Sequence, residues 1–151
     1  MKPYMMSLTE AAKALKTKEI TPIDYTDSLL ERIQKTEPQI HAWVTIEPEK
    51  TRRAAVKATE TKPHSIIHGV PIGVKDIYST AGTRTTMGSP IYRNHIPDKD
   101  AAMVQKIKEK GAIVLGKTET TEFALHDPAP TTNPWNTRHT PGGSSLSLIH
   151  I

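Results

Sequence analysis

The segment AAMVQKIKEK, the glycine that follows it and the run AIVLG, ending at Gly116, constrain the fold of this chain most. Asp100 stands before the first segment as a helix cap, and the charges of QKIKEK suit a solvated helix face. Gly111 is placed as the helix stop, because glycine takes the left-handed conformation that closes helices without a steric penalty. AIVLG is short and apolar, as expected of a buried strand. Helix, tight glycine and buried strand in succession predict an α/β fold.

The first 60 residues read as helices. Ser7 with Glu10 forms a capping box, and Leu8, Ala11, Ala12 and Leu15 follow at helical spacing. Thr21 and Pro22 read as N-cap and first helical residue, Ile23, Leu29, Leu30 and Ile33 as an apolar stripe, and Pro38 as the end of that helix. HAWVTI, from His41 to Ile46, is a short strand or extended linker, and a helical pattern resumes from Glu47 to Thr59. HGVPIGVKDIYSTAGTRTTMGSPI, rich in Gly, Thr and β-branched residues, predicts strands and turns. Thr118 to Leu125 is expected to form a short helix, and His126 to Gly143 a Pro- and Asn-rich loop. Length alone suggests one domain for these 151 residues.

Several function classes fit poorly. Net charge is +4, but Lys and Arg alternate with Asp and Glu, and aromatics make up only 5%, which argues against a nucleic-acid platform. No apolar run approaches the ~20 residues of a membrane span, and the start MKPYMMSLTEAAKALK lacks the apolar centre of a secretion signal. Cysteine is absent, which removes disulfides and thiolate metal sites and suits a cytoplasmic setting. His64 and His68 stand four apart, but Pro63 and Gly69-Val70-Pro71 break a helix there, so they read as loop histidines. GGSS lacks the spacing and lysine of a phosphate loop. Glu119, Glu122 and Asp127 are given surface or capping roles.

Lys75 stands apart. It ends the apolar run PIGVK, where loss of water disfavours the charged ammonium, and a neutral lysine is a general base. A strand-end lysine whose stem packs while its head reaches water is the plainer alternative. Ser144 and Ser145, after Gly142 and Gly143, offer hydroxyls for such a base, or simply make a Gly-Ser turn.

HGVPIGVKD, GKTETTEFAL and TTNPWNTRHTPGGSS, in that order and approximate spacing, resemble the amidase signature family over nearly all of residues 7 to 145. The resemblance implies an α/β fold with a mixed β-sheet flanked by helices, and a Ser-Ser-Lys triad. The family's lysine falls on Lys75, its serine held by a cis peptide bond falls on Ser144, and Ser145 has at most a supporting role. Lys75 would take a proton from Ser144, which relays one from a nucleophilic serine that attacks a small-molecule amide. That chemistry implies no metal or organic cofactor.

After Ser145 the pattern is lost, since LSLIHI replaces the small-residue stretch that the family carries there. Residues 1–145 are therefore expected to be the N-terminal portion of one amidase signature domain, and 146–151 a non-native tail that reads like a translated sequencing adaptor. Without the nucleophile the piece is expected to be inactive. The alternative is the amidase-like component of an Asp/Glu-tRNA amidotransferase, which shares these blocks, acts in a complex and is the one reading that brings in nucleic acid. A non-catalytic interaction domain is the contrasting class. Substrate identity and oligomeric state are not fixed by the residues.

Overall fold

A computed structural model describes residues 2–125 and 128–145. Asp127, read above as a surface acid, and the tail 146–151 lie outside the described residues. The elements are α1 (Leu8–Lys16), α2 (Pro22–Ile40), β1 (Trp43–Ile46), α3 (Pro48–Glu60), β2 (Pro71–Lys75), α4 (Ala102–Glu109) and β3 (Ile113–Thr118). Single 3-10 turns occupy Pro3–Met5, Pro90–Tyr92 and Glu122–Ala124. The strands form one sheet in the order β1-β3-β2, with β1 antiparallel to β3. Bonds from Ile113 N–H to Val70 O and from Asp76 N–H to Thr118 O advance together along β2 and β3, so that pair is parallel and the sheet mixed. The expected α/β fold with a mixed sheet is therefore present. Among the described residues no helix is long and apolar enough to cross a membrane.

The chain divides into two compact units interleaved in sequence. The first comprises Met1–Lys35, Glu47–Ile72 and Lys106–Leu115. Its helices start as the sequence predicts. Ser7 Oγ accepts from Glu10 N–H at 3.3 Å, while Glu10 Oε2 accepts from Ser7 N–H at 2.7 Å. Thr21 and Asp24 repeat the exchange at the head of α2, at 3.1 and 3.0 Å. These contacts satisfy N–H groups that a helix start leaves without partners, and they hold both carboxyls below their ordinary pKa. Ala11, Tyr25 and Val70 are buried together, with Leu15, Leu29 and Ile72 packed around them. His64 and His68 meet edge to face at 4.9 Å, and each Nε2 bonds a backbone carbonyl, of Glu109 and Ala58 respectively. Gly111 stands at φ +81, where an added Cβ would collide with His68 Nδ1. The helix stop needs glycine for both reasons.

The second unit comprises Thr36–Ile46, Gly73–Gln105 and Gly116–Ile151. Here β1 pairs with β3 in the register Trp43↔Thr118, Thr45↔Lys117 and Ile46↔Gly116. Glu37 accepts from the N–H groups of Ala42 and Trp43 at 3.1 and 2.9 Å, fixing where the chain turns from helix into strand.

Three sequence expectations need correction. Pro38 does not close α2, which continues to Ile40. The helix ends at His41, whose φ is +53, and His41 N–H still reaches Glu37 O at 3.0 Å. A proline one turn from a helix end removes only one of the last bonds, and here that loss does not stop the helix. Asp100 is not the residue that opens α4. The bond from Gln105 N–H to Ala101 O makes Ala101 the N-cap, and Asp100 Oδ1 accepts from Ala81 N–H at 2.7 Å. Thr118 to Leu125 is not a helix as a whole. Thr118 completes β3, and only Glu122–Ala124 turns helically, with Phe123 at φ +48.

Candidate active site

Strand β2 delivers Lys75 at its last position, with the side chain partly buried. Its Nζ donates to Ser144 Oγ at 3.1 Å, a contact that spans 69 residues of sequence. Burial holds the Lys75 pKa below the ordinary lysine value, because removing water penalises the ammonium. At this distance the charged lysine is a donor, and a neutral one is placed to accept the serine proton. Ser145 is exposed, so the turn presents Ser144 to the lysine and Ser145 outward.

The cis bond expected before Ser144 is not found, since no peptide bond among the described residues is cis. A cis bond before a residue other than proline costs about 2.5–4 kcal/mol and persists only where its surroundings impose it. Gly142 and Gly143 are exposed at φ +80 and +74, and a Cβ built on either meets nothing within 4 Å.

The residue after Lys75 anchors the site. Asp76 is fully buried, and its Oδ2 accepts from Thr86 N–H at 2.8 Å and from Thr86 Oγ1 at 2.6 Å. Asp76 Oδ1 has no aligned hydrogen-bond donor and lies 3.2 Å from Nζ of Lys117, itself fully buried. Among the described residues the ion pair is what compensates that oxygen. Lys117 Nζ also donates to Tyr78 O at 2.7 Å and to Thr85 Oγ1 at 2.9 Å. The backbone of Asp76 is held as well, its N–H by Thr118 O and its O by Met87 N–H. Lys75 thus projects from a segment pinned to β3 and to the loop after β2.

Two neighbours complete the surroundings. Thr120, 1% exposed, donates through Oγ1 to Ser144 O at 2.9 Å. Glu119, read above as a surface or capping acid, is partly buried, and its pKa is raised to about 7 by burial first and then by the charge of Asp76. Glu122 accepts from Ser89 Oγ at 2.5 Å. Sequence reading missed Asp76, Lys117 and Thr120. A signal for the pair existed in two charged residues, each set at the end of an apolar strand, but nothing in the residues said that they meet.

Glu119 makes stability depend on pH. Its pKa rises from an ordinary value of 4.5 to about 7, so between those values the folded chain holds more protons than the unfolded chain. The contribution of this group is therefore full at pH below 4.5 and is lost as pH climbs through 7. Glu119→Gln should narrow the gap in urea midpoint between pH 5 and pH 8, chiefly by raising the value at pH 8. An unchanged gap would refute the assignment.

A lysine at the end of a strand, bonded to a serine in a glycine-rich turn, places the molecule among α/β proteins with a serine–lysine pair. The family model described as Amidase matches residues 24–145. The chain belongs to the amidase family. It is 39% identical to a Glutamyl-tRNA(Gln) amidotransferase component of Roseiflexus sp. (strain RS-1), the A subunit, over 94% of this chain and 31% of that protein. The protein of that name from Carboxydothermus hydrogenoformans is also 39% identical, over 96% of this chain and 32% of its own length. Among solved structures, the native peptide amidase from Stenotrophomonas maltophilia superposes with a TM-score of 0.87 at 25% identity, covering 97% of this chain and 34% of that one. The chain spans about a third of the length of these relatives.

Proposed function

We propose that this chain supplies the lysine base and the relay serine of a centre that hydrolyses carbon–nitrogen bonds of amides, in a cytoplasmic protein of the length its relatives have. The observation that carries the reading is the 3.1 Å contact between Lys75 Nζ and Ser144 Oγ, on a lysine whose pKa is lowered by burial. In this reading neutral Lys75 takes the Ser144 proton. Ser144 takes one from a nucleophilic serine, which attacks the amide carbonyl and expels the amine. No other serine of the described residues hydrogen-bonds Ser144 Oγ, so the attacking serine is assigned to the part of the relatives' length that this chain does not span. On the same ground, the 151 residues alone should turn over no amide.

A second reading is favoured by the curated relatives, which at 36–39% identity carry the Glutamyl-tRNA(Gln) amidotransferase name. In it the same centre releases ammonia for transfer within a complex. A chimera tests both readings, with residues 1–145 replacing the matching third of the Roseiflexus protein. Hydrolysis of simple amides by the chimera alone favours the amidase. Glutamine hydrolysis that appears only with the partner subunits favours the amidotransferase. Unaltered turnover of either kind after Lys75→Ala would defeat the proposal.

A further inference from the structure

We infer that Thr120 is a positioning residue, whose buried hydroxyl holds the turn Pro141 to Ser145 so that Ser144 Oγ meets Lys75. The inference rests on the serine–lysine reading above. That turn has little else to fix it. Gly142 and Gly143 are exposed with open space around them, and Gly142 N–H bonds only locally, to Thr140 Oγ1 at 3.1 Å. Among the described residues two hydrogen bonds join the turn to the rest of the chain, and both end on Ser144.

The two bonds differ in what they determine. Lys75 has a long, rotatable side chain and can follow a serine over several positions. Thr120 has a single side-chain torsion, is 1% exposed and lies two residues beyond β3, so its hydroxyl has an almost fixed place. The lysine follows the turn; the threonine places it.

A hydroxyl carries one proton, and this one has two carbonyls in reach, Ser144 O at 2.9 Å and Thr121 O at 3.1 Å. Thr121 O already accepts from Ala124 N–H at 2.9 Å, whereas Ser144 O has no other donor among the described residues. The proton therefore does more on Ser144. Without Ser144 O in reach, the hydroxyl would still have Thr121 O as an acceptor, so its bond to Ser144 is not forced by its own burial.

The test reads proximity and needs no turnover. The chain has no cysteine, so Ser144→Cys introduces a single thiol beside Lys75. Exchange with a small acetyl thioester loads that thiol, and the neutral Lys75 amine then takes the acetyl group within the molecule. A C–N bond forms, the C–S bond breaks, and the nitrogen loses its proton to water. Acetyl-Lys75 is counted by peptide mass spectrometry.

Adding Thr120→Val, of nearly the same shape, should slow the transfer about 2- to 10-fold, the ratio that one such bond controls. Thr120→Ser should restore it, and all variants should melt alike. If valine unfolds the chain, Thr120→Ala carries the same expectation. Equal rates in valine and threonine forms, or equal losses in valine and serine forms, would overturn the inference. Failure here leaves the Lys75→Ala result in the chimera untouched, so the two ideas fail separately.

Discussion

Lys117→Met should cost this chain about 3–5 kcal/mol of stability, the range for removing one member of a buried ion pair. The side chain is 0% exposed and its Nζ meets Tyr78 O, Thr85 Oγ1 and Asp76 Oδ1. Methionine matches the stem in length and apolar character, so lost packing is a small part of the effect. What dominates is the partner. Asp76 is also 0% exposed, and among the described residues its Oδ1 has only the Lys117 charge to offset the water it gave up. Folded domains have roughly 5–15 kcal/mol in hand, so the single variant should lose a large share of that. A urea titration would measure it.

Adding Asp76→Asn should recover part of the loss, because the amide removes the stranded charge while keeping a partner for Thr86. A cost below about 1 kcal/mol for Lys117→Met would mean that the pair is not holding the two strand ends.

The second large effect is on chemistry. Lys75→Ala in the chimera with the Roseiflexus protein should lower kcat about 10²- to 10⁴-fold, the usual contribution of a general base. KM should change little, since in the proposed relay the lysine acts on a serine proton and not on the bound amide. Ser144→Ala should give a loss of similar size, and the double variant little more, as groups in one relay are not additive. The pH profile carries the sign. Activity should rise with pH as Lys75 loses its proton, with a midpoint below the ordinary lysine value of 10.5 because burial lowers that pKa. Lys75→Ala should remove that limb. Its persistence would show that another group is the base.

These two expectations draw on different kinds of information. Ser7 and Glu10 announced a helix start because a capping box is closed by residues three apart. Gly111 announced a helix end because its conformation suits few other residues. Lys75 and Ser144 were visible as a candidate base and a hydroxyl because motifs preserve residue type and order. Pro38 misled because a proline's effect depends on how many helical bonds remain beyond it. The bond before Ser144 misled because a motif carries residue types and not the peptide geometry, which among the described residues is trans throughout.

By itself, then, the sequence determined the caps that open α1 and α2, the α/β order of elements and the chemical types at the site. Each of these is decided within a few residues or by side-chain chemistry. The tertiary structure alone decided that Lys117 meets Asp76 and that Thr120 holds Ser144, across 41 and 24 residues respectively. Short-range bonds can be read from neighbours in the chain. Long-range ones exist only once strand pairing has brought distant residues to the same few ångströms.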